Sequence, residues 1–348
     1  MLASKQVGQQ GVRAQQRSQQ TLKTQKSVTG RKTNCCPSPC SSLMPKTVSP
    51  VAAIATATLP SGAPAPPISL IATDVDGTLL NSKQELSPGV IEAVKAAAAV
   101  GVPLVVATGK ARGPWVNEVF SQLNLSTPGC FLQGLYVCDA AGTVLSQQEL
   151  EHSVILECLD IADSKGLTAI VYCADRILSA SLNEYTDSLK FYKEPDVEAV
   201  GHLSKSVGKV AMQKLIFMGP QQEIDALRPV VEERLQGRAS TTTAVPCMLE
   251  VLPLGASKGT GVLWLLKHMN VDPSTVMALG DGENDVEMLE AVGLGIAMGN
   301  AGKKARAVSA DVMSTNDEDG VAQAIDKYVL SPRGKSLSNQ AVNATTSS

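Results

Sequence analysis

The stretch Ile68-Ser-Leu-Ile-Ala-Thr-Asp74-Val-Asp76-Gly77-Thr78 constrains this chain most. Its apolar start, Ile68 to Ala72, reads as a buried strand. The strand runs into two carboxylates two residues apart, then into a glycine that lets the chain turn sharply. Side chains at i and i+2 of a strand share a face, so Asp74 and Asp76 start out on the same side. Two like charges that close are costly unless a cation holds them or one keeps its proton. The pair suits a Mg²⁺ site built from oxygen ligands. It equally suits a carboxylate nucleophile working beside a general acid. A hairpin closed by the Asp-Gly pair is the other structure this stretch could adopt.

Further along, the chain repeats one rhythm. Ser87-Pro88-Gly89 marks a helix start, and the helix from Val90 to Val100 ends at Gly101. A second apolar run, Val102 to Ala107, again stops at a polar residue plus glycine, Thr108-Gly109. A helix over about 113–123 and a third apolar segment, Phe131 to Val137, follow. Unalternating apolar strands separated by helices predict a parallel sheet covered on both faces. From about His152 to Leu249 the pattern becomes that of an α+β insert, with a helix over 154–164, two short strands, and a helix over 221–235 between two further strands. The first rhythm resumes at Ser257-Lys258-Gly259, with the helix Thr260 to His268, the strand Val276 to Leu279 and a short strand near Gly295. The expected fold is therefore α/β: a doubly wound parallel-sheet core in two parts, 67–151 and 250–330, interrupted by an α+β domain at 152–249.

The ends of the chain differ from its body. Met1 to Thr73 contains eight Lys or Arg and no Asp or Glu, which leaves 22 basic against 33 acidic residues in the remainder. Residues 1–66, rich in Gln, Ser and Thr and closing in a Pro-rich run, read as an organellar transit peptide and linker, plastid favoured over mitochondrion. Residues 331–348 read as a disordered Ser/Asn/Thr tail. An acidic body argues against nucleic acid and anionic membranes as partners. Aromatics at 3% leave little to stack on bases, and no segment is apolar for long enough to span a bilayer. Of eight cysteines, the five in the body, Cys130, Cys138, Cys158, Cys173 and Cys247, show no CxxC and no zinc spacing and are expected to be free thiols.

In an open parallel sheet, ligands bind outside the C-terminal strand ends. Asp74, Thr108 and Asp281 all stand at such ends and can converge although far apart in sequence. Asn284 and Asp285 follow Asp281 within one turn. Lys258 follows the N-cap candidate Ser257, where it can face a phosphate together with helix N–H groups. Each acid alone would pass for a solvated loop carboxylate. Acids for a metal, one cation and several donors at a single sheet edge point to phosphate chemistry.

The set Asp74-Val-Asp76-Gly-Thr78, Ala107-Thr108-Gly109, Ser257-Lys258-Gly259 and Gly280-Asp281-x-x-Asn284-Asp285 resembles the haloacid dehalogenase superfamily, and its wording is similar to the Cof-type hydrolases with a large cap. The resemblance covers about residues 68–330. It implies a phosphatase in which Asp74 attacks phosphorus to form an aspartyl-phosphate. Asp76 would protonate the leaving oxygen and then deprotonate water. Mg²⁺ would be held by Asp74, the Asp76 backbone carbonyl and Asp281. Thr108, Lys258, Asn284 and the amides of Val75 and Gly109 would bind the phosphoryl oxygens. Thr78 and Asp285 would support the site, Asp285 through the metal shell or through Lys258. The insert would be the cap that reads the leaving group of a small phosphate ester.

Two positions depart from the family pattern. Lys110 stands where Arg is frequent, and Gln133-Gly134 stands where Asn-Gly is frequent. Tyr172, Tyr185, Phe191 and Tyr192 could line a substrate face or simply pack. Near Gly295, Ala297 and Lys304 exclude a Walker A loop, which needs Gly and Ser/Thr there. His152, His202 and His268 have no metal spacing. A phosphomutase with the same nucleophile and a non-catalytic phosphometabolite sensor are the rival functions.

Overall fold

A computed structural model describes residues 67–334. The expected transit segment, and the expected disordered tail beyond Gly334, lie outside the described residues. In chain order the first part holds β1 (Leu70–Thr73), α1 (Pro88–Ala99), β2 (Leu104–Val106), α2 (Pro114–Leu123), β3 (Gly129–Phe131), β4 (Tyr136–Cys138) and β5 (Val144–Gln147). The insert holds α3 (His152–Lys165), β6 (Thr168–Cys173), β7 (Arg176–Ser179), α4 (Glu184–Ser188), β8 (Val197–Ala199), β9 (Lys214–Met218), α5 (Gln221–Arg234), β10 (Ala239–Thr242) and β11 (Met248–Pro253). Then come α6 (Lys258–His268), β12 (Val276–Gly280), α7 (Val286–Glu290), β13 (Leu294–Ala297), α8 (Lys303–Val308), β14 (Asp311–Val312) and α9 (Gly320–Ile325). Ser331–Arg333 close the described chain in a short turn, and Arg333 donates to the Ile68 carbonyl at 2.7 Å.

The core sheet runs β14-β13-β12-β1-β2, all parallel. Ile71 of β1 faces one apolar cluster with Leu104 and Val106, whereas Leu70 and Ala72 face another with Val105 and Val262. Both faces are buried, as a sheet woven by helical crossovers requires. β1 lies between β12 and β2, where the strand order reverses, so the loops after these three strands open onto one crevice.

The third apolar segment does not form the single strand that its composition suggests. After β3 the backbone takes left-handed φ at Leu132, Gln133 and Gly134, and β4 returns antiparallel. The reason is a close approach. A Cβ on Gly134 would lie 2.7 Å from Gly261 Cα, and a Cβ on Gly261 would lie 2.3 Å from Gly134 Cα. The turn thus packs backbone to backbone on α6.

The insert forms a six-stranded sheet, β10-β11-β9-β6-β7-β8, antiparallel except between β7 and β8. Its sides follow the period of two. Val171, Leu215, Phe217, Leu249 and Val251 pack with Val154, Cys158, Leu227 and Val231 of α3 and α5. Tyr172, Ile216 and Met248 belong instead to the cluster shared with the core. β10, spelled Ala-Ser-Thr-Thr, carries no apolar run and is not evident in the sequence. Among the described residues the five cysteines are free, and no helix is long and apolar enough to cross a membrane.

Candidate active site

β1 delivers Asp74 to the crevice, anchored by its amide donating to the Leu279 carbonyl at 2.9 Å. Gly77 then turns at φ +76°, and a Cβ there would lie 2.5 Å from Asp281 Oδ2. Only glycine lets the loop after β1 pass so close to the loop after β12. Thr78 Oγ1 donates to Asp281 Oδ1 at 2.9 Å and joins the two loops.

Lys258 opens α6, whose N-cap Ser257 accepts from Thr260 N while Thr260 Oγ1 accepts from Ser257 N. Its ammonium is buried and donates to Asp74 Oδ1 at 2.7 Å and Asp285 Oδ1 at 2.5 Å. Asp285 Oδ2 accepts from the amides of Asp281 and Gly282, at 2.9 and 2.8 Å. Both oxygens of Asp285 are therefore occupied by protein donors.

Asp74, Asp281 and Asp285 each offer an oxygen within 4.8 Å of the others'. One ammonium faces three carboxylates. Burial raises the Asp74 carboxyl well above its ordinary range, and Asp285, Asp281 and Asp76 add to the rise against the pull of Lys258. Burial and then Asp285 push Asp281 up to about 6. Burial works to lower the Lys258 ammonium, but Asp285 and Asp74 outweigh it and hold the proton on. This shortage of positive charge among hard oxygen donors fits a divalent cation such as Mg²⁺.

The remaining predicted residues stand around this centre. Asp76, Thr108, Gly109, Asp281 and Asn284 line one cavity with Asp74. Val75 and Thr78 are buried behind it, and Lys258 borders a second cleft together with Gln133, Ser257 and Asn284. Lys110, the departure from the family pattern, sits in the cavity wall with its Nζ 3.1 Å from Asp76 Oδ1. It also lies over Trp115, 5.2 Å from the ring centroid.

The insert supplies the opposite wall with Tyr172, Leu189, Tyr192, Glu194, Lys214, Ile216, Met248 and Glu250. Phe191 is exposed and Tyr185 packs against the core. Glu194, Lys214 and Glu250 were not anticipated. The visible signal was a charge inside an apolar strand, in Lys214-Leu-Ile-Phe-Met and in Met-Leu-Glu250-Val-Leu. At the inward position of a buried strand, a charge needs a partner. Lys214 and Glu250 are each other's, at 2.6 Å, and Lys214 also lies over the Tyr172 ring.

Glu194 accepts from the Ala111 amide at 3.0 Å and from the Tyr172 hydroxyl at 3.2 Å. Burial pushes its carboxyl up to about 7; Lys110 and Lys214 oppose the rise and Asp76 adds to it. A carboxyl that holds its proton more tightly folded than unfolded costs stability as pH rises from about 4.5 to about 7. Glu194→Gln removes that slope, so it is expected to gain roughly 3 kcal/mol on wild type across this window. Denaturant unfolding at a series of pH values measures this. A difference that stays constant with pH would show that Glu194 does not titrate there.

Residues 71–325 match the family described as haloacid dehalogenase-like hydrolase. The chain belongs to the haloacid dehalogenase-like hydrolases. Among curated proteins it is 37% identical over 276 residues to a protein of Arabidopsis thaliana named chloroplastic endoribonuclease YBEY, covering 76% of this chain but 47% of that one. The chain thus spans about half the length of that relative. It is 29% identical to phosphatase YwpJ of Bacillus subtilis, over 76% of this chain and all of the relative. A haloacid dehalogenase-like hydrolase from Bacteroides thetaiotaomicron superposes with a TM-score of 0.66 at 26% identity, over 75% of this chain and 99% of that structure. In this haloacid dehalogenase-like chain, Asp74, Thr108 and Asp281 follow the ends of β1, β2 and β12, and Lys258 opens α6.

Proposed function

We propose that this chain is a Mg²⁺-dependent phosphatase that hydrolyses a small phosphorylated metabolite through an aspartyl-phosphate. The observation that carries the reading is Asp74 on the cavity floor, fixed by Lys258 at 2.7 Å, with Asp76 lining the same cavity. One carboxylate is placed to attack phosphorus and the other to serve the leaving oxygen.

Lys258 holds one oxygen of Asp74 and leaves the other to attack. Asp76 gives a proton to the departing oxygen, then takes one from the water that cleaves the acyl-phosphate. Lys110, 3.1 Å from Asp76, places positive charge where the leaving oxygen develops its negative charge. The amides of Val75 and Gly109, the Thr108 hydroxyl and the Asn284 amide donate to the phosphoryl oxygens. Asp74, Asp281 and the Asp76 carbonyl would hold Mg²⁺, which would offset the repulsion between carboxylate and phosphate. Asp285 orients Lys258. Residues 152–249 act as the cap, excluding water and selecting the leaving group through Tyr172, Tyr192, Glu194 and the aliphatic residues beside them.

The acid-free first 73 residues and a relative named chloroplastic support a plastid location, with residues 1–66 as the transit segment. The test is phosphate release from a panel of sugar, nucleotide, flavin-type and pyridoxal phosphates, with Mg²⁺ and with chelator. Release is expected with Mg²⁺ only, and the best substrate defines the leaving group. Metal-independent release would overturn the Mg²⁺ assignment. Phosphoryl transfer to an added sugar without release would make the chain a mutase.

A further inference from the structure

A chain of buried side chains joins the insert's sheet to the phosphate-facing loops of the core. Lys214 donates to Glu250 Oε2 at 2.6 Å and to the Gly109 carbonyl at 2.8 Å. Glu250 Oε1 accepts from Gln133 Nε2 at 3.1 Å, and Gln133 Oε1 accepts from Asn284 Nδ2 at 3.1 Å. All four side chains belong to buried residues, Gln133 at 1% exposure. Gln133 also holds a costly backbone, φ +60° and ψ 32°, directly after a Leu132 at φ +52°. Non-glycine residues in the left-handed region are strained and persist where the surroundings demand them. Two in succession bring the Gln133 side chain between insert and core.

The direction of the chain follows from chemistry. A carboxylate paired with an ammonium only accepts hydrogen bonds, so Gln133 must turn its NH₂ end to Glu250. Its carbonyl end then faces Asn284, which must answer with its own NH₂. The Asn284 carbonyl is left pointing at Gly282, where a Cβ would lie 2.3 Å from Oδ1. The second N–H of Asn284 remains for the cavity that this residue lines. Without Glu250 beside it, Gln133 can present either end, and Asn284 can turn a carbonyl toward an anion instead of a donor.

We infer that Gln133 is a positioning residue: the charged pair Lys214–Glu250 on the cap acts through it to set Asn284 as a phosphate donor, so phosphoryl binding tightens as the cap closes. The inference rests on the phosphatase reading for what Asn284 binds, but not for the relay itself. Affinity for the closed state and donor orientation thus become one coupled property.

The first test is orthophosphate binding to the full chain by calorimetry in Mg²⁺, with Q133L, N284A and the double variant. Each single variant is expected to weaken binding about tenfold, and the double to be no weaker than the worse single, because both remove the same donor. A double variant that loses the product, about a hundredfold, would reduce Gln133 to a packing role and overturn the relay. Wild-type affinity in folded Q133L would overturn it too. Q133M, close in size and unable to take either place in the relay, serves if Q133L does not fold, with the same expectations. If wild type binds no orthophosphate, the phosphatase reading fails, and the relay is decided in the free protein. The ¹⁵N side-chain amide resonance of Asn284 is expected to shift in E250Q, through Gln133; an unmoved resonance overturns the inference.

Discussion

Asp74→Asn is expected to abolish phosphate release, by about 10⁴-fold or more, while leaving the protein folded. The two side chains have the same shape, and the amide oxygen can still accept from Lys258 Nζ. What disappears is the proposed nucleophile. Stability is expected to hold or rise at neutral pH. Asp74 is a buried carboxyl held well above its usual range by burial and by Asp285 and Asp281, so its ionised form is costly. Steady-state phosphate release and denaturant unfolding, measured side by side, check both statements. A residual rate within tenfold of wild type would remove Asp74 from the nucleophile's role, and a large stability loss would mean that its charge supports the fold.

Lys258→Met is expected to do the reverse to stability. The ammonium is fully buried and is the counter-charge closest to Asp74 and Asp285. Deleting one partner of a buried ion pair leaves uncompensated charge and typically costs about 3–5 kcal/mol. The loss should shrink as pH falls and the stranded carboxylates take up protons. Activity should drop by about 10²–10³ or more with the loss of a fixed positive charge at the site. Adding Asp285→Asn should restore much of the stability but none of the activity. Equal unfolding midpoints for wild type and Lys258→Met would mean that the two carboxylates are already neutral without it.

Much of the core was legible because its signals are local. β1, β2 and β12 are unbroken apolar runs that stop at a polar residue, and Ser257 with Thr260 spells out the start of α6. The three strand ends that carry Asp74, Thr108 and Asp281 meet as their positions foretell. The break in the third segment was hidden because it answers to a contact between residues 134 and 261, which no window of sequence contains. The insert's contribution was hidden for a similar reason. Lys214 and Glu250 are neighbours only through the pairing of β9 with β11. Glu194 sits in an irregular stretch between a short helical turn and β8, where neither period applies.

The meeting of Gly134 with Gly261 has a mechanical consequence. With no side chains between them, the turn after β3 and the helix α6 are clamped at backbone distance, and there is nothing in the seam that could repack by changing rotamer. Gln133 and Lys258 ride on the two halves of this clamp. They are therefore held as one piece, so any displacement of the insert's sheet would separate Glu250 from Gln133 and leave Gln133 in place beside Lys258. The joint is a bearing block, built to stay still under whatever load the insert puts on it.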